Sequence, residues 1–188
     1  MQAHSRLQLL AIICVVGLAS CAGQPKSIKV PVATTLQPDT SMSAQLFQAV
    51  NDYRHSLGAA ELERHAGLDR LARQHCEYLR QHRGTFVLHG RNVSHIGFEG
   101  RALYARQRYQ MANISENVAS ANHTGTNPAP VLLTLWKGSK DHQKTMVDKW
   151  THSGIGVVVD SDGMVFADQL FATVNPSLLE MRPRFNGF

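Results

Sequence analysis

Apolar residues recur every three or four positions from Met42 through Leu46, Ala49, Val50, Tyr53 and Leu57 and stop at Gly58, the pattern of an amphipathic helix closed by a glycine. A second stripe of Leu68, Leu71, Ala72, His75 and Leu79 has Arg70, Arg73 and Arg80 on its other faces and runs toward Gly84. It predicts another core-facing helix. On that stripe His75 reads as a hydrogen-bonded core or boundary histidine rather than a ligand, because its neighbours one turn away are apolar and no carboxylate accompanies it. Cys76 reads as a small half-buried residue. Between Phe86 and Arg108 the pattern weakens, with "TFVLHG" extended and "FEGRALYARQRYQ" helical. A further helix follows Pro128 and Pro130, which suit a first turn, and puts Leu132, Leu135, Trp136 and Ser139 on one stripe. Leu132 and Trp136 are its expected core residues. Last comes "SGIGVVVDSDGMVFADQLFATV", two β-rich runs joined by the turn residues "DSDG", which predicts a hairpin. Helices first and paired strands last describe an α+β domain, its helices packed on an antiparallel sheet, and not an alternating parallel fold.

The N-terminus follows a different pattern. "MQAHSRLQLLAIICVVGLASCAG" has Arg6, an apolar run from Leu9 to Leu18, and small Ala19 and Ser20 before Cys21. The run is too short to span a bilayer and reads as an export signal over residues 1–20. Leu18-Ala19-Ser20-Cys21 resembles the lipobox of bacterial lipoproteins, which implies lipidation of Cys21 and, with Ala22 next, an outer-membrane address. Residues 21–40 carry three prolines with several Ser and Thr and no apolar period, so a tether is expected. At about 3.1 Å per residue it would reach on the order of 50 Å from the bilayer. The domain is then expected over residues 41–175, with a tail at 176–188.

Composition narrows the function classes. The chain of 188 residues is 43% hydrophobic and 18% charged, enough for one buried core. The net charge of +5 comes from scattered Lys and Arg with no dense block, which argues against a nucleic-acid partner. Of the three cysteines, Cys14 leaves with the signal and Cys21 takes lipid, so Cys76 has no partner for a disulfide. No phosphate-binding glycine loop, HExxH, CxxC or GxSxG is present.

Three places remain where polar residues interrupt the pattern: His95 in "SHIGFEGR", Glu116 in "SENVA" and His142 in "SKDHQKTMV". Taken with "VNDYRHSLGAAEL", "LARQHCEYL", "SGIGVVVD" and "ADQLFA", they form a succession over about Ala44 to Thr173 that resembles the CAP superfamily, the SCP/PR-1-like domains, in its short bacterial form. The resemblance implies a three-layer α-β-α sandwich with a cleft of two histidines and two acids. Residue by residue it carries to His95, Glu116 and His142, with Asn117 fixing the loop behind Glu116. The remaining acid position falls near Ser139, which is not acidic; Asp141, beside His142, is as consistent with a solvent-facing residue.

Two imidazoles and a carboxylate form a set for a divalent ion, zinc favoured, although no cofactor is required by this reading and the missing acid weakens it. Three functions follow. The first is a non-enzymatic, membrane-anchored module binding a lipid, glycan or protein ligand. The second is a metal-assisted hydrolase of the envelope, with Glu116 as ligand or base, and the third a structural lipoprotein.

Overall fold

The computed structural model describes residues 42–86, 93–122 and 124–174. The expected signal, lipidated cysteine, tether and tail lie outside the described residues, as does most of "TFVLHG". Along the chain come α1 (Met42–Ser56), β1 (Glu63–Arg64), α2 (Ala66–Gln81), α3 (Phe98–Tyr109), β2 (Met111–Ala121), α4 (Ala129–Gly138), α5 (Lys140–Val147), β3 (His152–Val159) and β4 (Val165–Val174). The strands form one sheet in the order β1-β3-β4-β2.

The hairpin predicted around "DSDG" is β3–β4, antiparallel from His152↔Ala172 to Val159↔Val165. Gly163 adopts a φ of 84°, which a Cβ disfavours, and its N–H bonds the Asp160 carbonyl at 3.0 Å. On the other side of β4 lies β2, antiparallel through Glu116↔Leu170, Asn117↔Gln169 and Val118↔Asp168. The segment expected to be a loop around Asn117 is therefore a strand. The sheet is also mixed rather than purely antiparallel, since β1 runs parallel to β3 for two residues, Glu63↔His152 and Arg64↔Ser153. The chain can pair no further there because His65 caps α2, its ring nitrogen accepting the Leu68 N–H.

Helices cover both faces, which makes the expected α-β-α sandwich. Under one face, Leu46 and Val50 of α1, Leu132 and Trp136 of α4 and Met146 of α5 meet Ile155, Ala167 and Phe171. Against the other, α2 and α3 place Leu68, Leu71, Ala72 and Ala105 on Met111 and Leu170, while Cys76 and Leu79 meet Val118, Val158 and Phe166. Alternation along β4 sends Phe166, Asp168 and Leu170 to the α2 face and Ala167, Gln169 and Phe171 to the other. Helix α2 lies directly on β3. A Cβ on Gly154 or Gly156 would fall on its backbone at Leu68–Asp69 and Ala72–Arg73.

Trp136 and Leu132 are fully buried, as their stripe predicts. Leu57 and Leu135 are exposed, because α1 ends at Ser56 and Leu135 lies off the buried face of α4. Ser139 is not on that face either: it joins two helices and caps α5, its Oγ accepting the His142 N–H at 3.5 Å. Cys76 is wholly rather than half buried, its thiol donating to the Gly156 carbonyl at 3.3 Å.

Candidate functional site

Strand β2 sends successive side chains to opposite faces, so Glu116 and Asn117 point apart. Glu116 goes beneath α2 and α3, where its side chain is 1% exposed. One carboxylate oxygen lies 2.9 Å from His95 Nδ1, in the loop before α3. The other accepts from Arg101 Nε of α3 at 2.8 Å, with Arg101 Nη2 at 2.6 Å. The same guanidinium donates through Nη1 to the Ile96 carbonyl at 3.0 Å, so Arg101 fastens the loop and α3 to the acid. His75 of α2 approaches from above, its Nδ1 3.7 Å from Glu116 and 3.1 Å from the Asp168 carboxyl of β4.

Charge is divided unequally among these groups. Burial pushes the Glu116 carboxyl up, but the His95 hydrogen bond and the Arg101 charge, joined by His75 once acid protonates it, more than offset this and leave it below the ordinary carboxylate range. Burial and the Glu116 charge together drive Asp168 well above its ordinary value, toward its neutral form. Burial pulls His75 down to about 4, which keeps it neutral near pH 7. His75 also bonds the Ser94 backbone and Asp168 the Glu116 carboxylate, whereas Asn117 Oδ1, on the other face, has no hydrogen-bond partner among the described residues.

Beside this cluster opens a cavity of 330 Å³. Its walls are Leu71, Tyr78 and Ile96, with Gln74, His75 and Arg101 as its polar residues.

His75, Glu116 and Asp168 bring one ligand atom each within 4.8 Å of one another and could hold a metal ion. Their nitrogen and carboxylate donors suit zinc, while the guanidinium already on Glu116 sets a positive charge beside any ion. This trio shares only Glu116 with the set His95, Glu116 and His142. His95 meets Glu116 directly. The His142 backbone carbonyl instead accepts from Asn117 Nδ2 at 3.0 Å, on the far side of β2 from Glu116. Sequence reasoning missed Arg101 and Asp168 and gave His75 no acidic partner. The available signal was Asp168 itself, a charged residue inside the apolar run "MVFADQLFATV" that alternation aligns with Phe166 and Leu170.

Among curated proteins no sequence relative matches. Among solved structures the chain resembles an outer surface protein from Borrelia burgdorferi, with a TM-score of 0.58 and 16% identity, covering 71% of this chain and 93% of that one. An extracellular protein containing a SCP domain from Bacillus anthracis matches with a TM-score of 0.53 and 20% identity over 75% of this chain and 45% of its own. A cysteine-rich secretory protein from Staphylococcus aureus matches with a TM-score of 0.52 and 15% identity over 74% of this chain and 41% of its own. The chain thus spans less than half the length of the last two. At these identities the likeness is one of fold. The family model described as the cysteine-rich secretory protein family matches residues 47–175, more than half the chain, and with the sandwich above it establishes that this chain belongs to the CAP family.

Proposed function

We propose that this chain is a CAP-domain module displayed at the cell envelope, anchored by a lipid on Cys21, that binds a ligand without transforming it. The observation that carries the reading is the cavity beside the Glu116 cluster: its walls are largely apolar, and the buried His75 is among the few polar groups at its lining. Such a combination selects an amphipathic ligand, by shape and by one polar contact. Glu116 is already engaged by His95 and Arg101, which suits a carboxylate that organises a site better than one that takes up protons in turnover. In this reading His95 and Glu116 belong to the cleft, while Asn117 and Ser139 hold the start of α5, with His142, against the opposite face of β2. An envelope location is consistent with the outer-surface and extracellular descriptions of the structural neighbours. No helix among the described residues is long and apolar enough to cross a membrane, and lipid on Cys21 would supply the anchor. The ligand is a lipid, a glycan or a segment of protein.

A second reading has its own observation, the convergence of His75, Glu116 and Asp168. An ion held there would polarise a bound water for hydrolysis. Native mass spectrometry with metal analysis of the full-length chain separates the two. The binding reading expects a retained small molecule that Ile96→Trp, at the exposed cavity wall, displaces without loss of fold. Stoichiometric zinc that disappears in Asp168→Asn, with no retained molecule, would transfer support to the hydrolase.

A further inference from the structure

Among the described residues, one edge of the sheet is left open. The Asp160 N–H to Met164 carbonyl bond at 2.8 Å closes the hairpin and sets the even-numbered residues of β3 toward β4. The odd-numbered residues therefore turn their backbone groups to the opposite edge. At its beginning that edge is used: the Glu63 and His65 N–H groups bond the Thr151 and Ser153 carbonyls, each at 2.9 Å. The chain then turns into α2. Asp69 covers the next position, its carboxylate accepting the Ile155 N–H at 2.8 Å. Beyond it, no described strand pairs with β3 on this side, which leaves the Ile155 carbonyl, both groups of Val157 and the N–H of Val159 facing outward. Val159 is 44% exposed. From Ile155 to Val159 the line runs on the order of 15 Å, room for four or five residues of an added strand.

The surroundings choose the occupant. A groove of 430 Å³ follows Ile155–Val157 and is bordered by Arg64, Asp69, Arg70 and Arg73. The Asp69 charge is met by Arg64 at 3.0 Å, so Arg70 and Arg73 leave the groove positive, even with Glu77 at 3.8 Å from Arg73. A second copy of this chain would bring the same arginines face to face across a two-fold axis. We infer that the open β3 edge docks an extended acidic segment of a partner protein, which joins the sheet as a strand in the continuation of β1. Backbone hydrogen bonds supply the affinity, and acidic side chains directed at Arg70 and Arg73 supply the selection. The surface is separate from the Glu116 cavity, so the two sites can be tested independently.

The test uses the full-length chain and two blocked hexapeptides, one alternating glutamate with valine and one alternating lysine with valine. Amide hydrogen exchange at Val157 and Val159 is the readout. The glutamate peptide is expected to slow both amides, with an effect that weakens as salt is raised. Reversing the exposed arginines, Arg70→Glu with Arg73→Glu, is expected to weaken its binding roughly tenfold. Val159→Pro is expected to block it, since proline removes a donor and its ring obstructs an incoming strand. Should that variant fold poorly, the arginine reversal carries the test. Equal protection by the lysine peptide, no protection by either, or protection that rises with protein concentration in the absence of peptide would each overturn the proposal, the last by assigning the edge to a second copy.

Discussion

Beneath α2, Glu116 is held below the ordinary carboxylate range while Asp168 is driven above it and His75 below its own ordinary value, and the difference lies in partners. Glu116 has a guanidinium and an imidazole within 3 Å, whereas Asp168 is wholly buried beside the Glu116 charge, which outweighs the more distant Arg101. This gives the protein a definite acid sensitivity. The folded value for His75 lies below its ordinary 6.5, so the unfolded chain binds a proton that the folded chain refuses down to about pH 4. Stability should fall through that window by on the order of 3 kcal/mol. Glu116 acts lower down. Its folded value is depressed, so its contribution is present above pH 4.5 and is lost as pH falls through the folded value. Urea unfolding at pH 7 and pH 4.5 should show the His75 contribution as a smaller loss in His75→Gln than in the parent chain. An equal loss in both would mean that the ring is not held neutral by burial. At this scale the sequence announced Glu116 and His95 through the family resemblance. It gave no sign of Arg101, whose place in a helix of mixed polarity is shared with Arg106 and Arg108.

Elements were more legible than side-chain partnerships. Stripes of period three to four located α1, α2 and α4, and "DSDG" located the β3–β4 turn, because backbone periodicity and turn chemistry are local properties. Strand β2 escaped detection. Glu116 and Asn117 are polar residues buried on opposite faces, so neither face shows the apolar series that marks a half-buried strand. Two substitutions test how the layers are held. Trp136→Ala should cost about 3–5 kcal/mol, since the indole is fully buried among Leu46, Val50 and Phe171 and its loss leaves a cavity. An unchanged melting temperature would remove α4 from the core. Gly156→Ala adds a single methyl group and should still be strongly destabilising, because that methyl falls on the α2 backbone rather than on a flexible side chain that could move aside. A variant as stable as the parent would show that α2 can lift from the sheet freely.

For the molecule as a whole, the decisive question is attachment. A short apolar run ending in Leu18-Ala19-Ser20-Cys21 is expected to deliver a lipid anchor, and the net charge of +5 adds attraction to anionic surfaces that salt would screen. Cys21→Ser should therefore move the protein from the membrane fraction to the soluble one after a salt and carbonate wash. Retention of the variant through that wash would point to another means of attachment. Anchoring would also place both the Glu116 cavity and the β3 edge outside the bilayer.

By itself, the sequence determined the class of fold and the apolar faces of α1, α2 and α4, because those follow from spacing between near neighbours. It also marked Glu116 and His95 as exceptional, through the order of motifs along the chain. Only the tertiary structure decided which residues surround Glu116. His75, Arg101 and Asp168 lie 41, 15 and 52 positions from it and meet it because α2 and α3 cover one face of β2 and β4. The same layering turned Asn117 to the opposite face, toward His142, since adjacent residues on a strand cannot share a side. Proton affinity was decided there too: burial and neighbouring charge, neither of which is written in local spacing, lowered it for one carboxyl and raised it for the other.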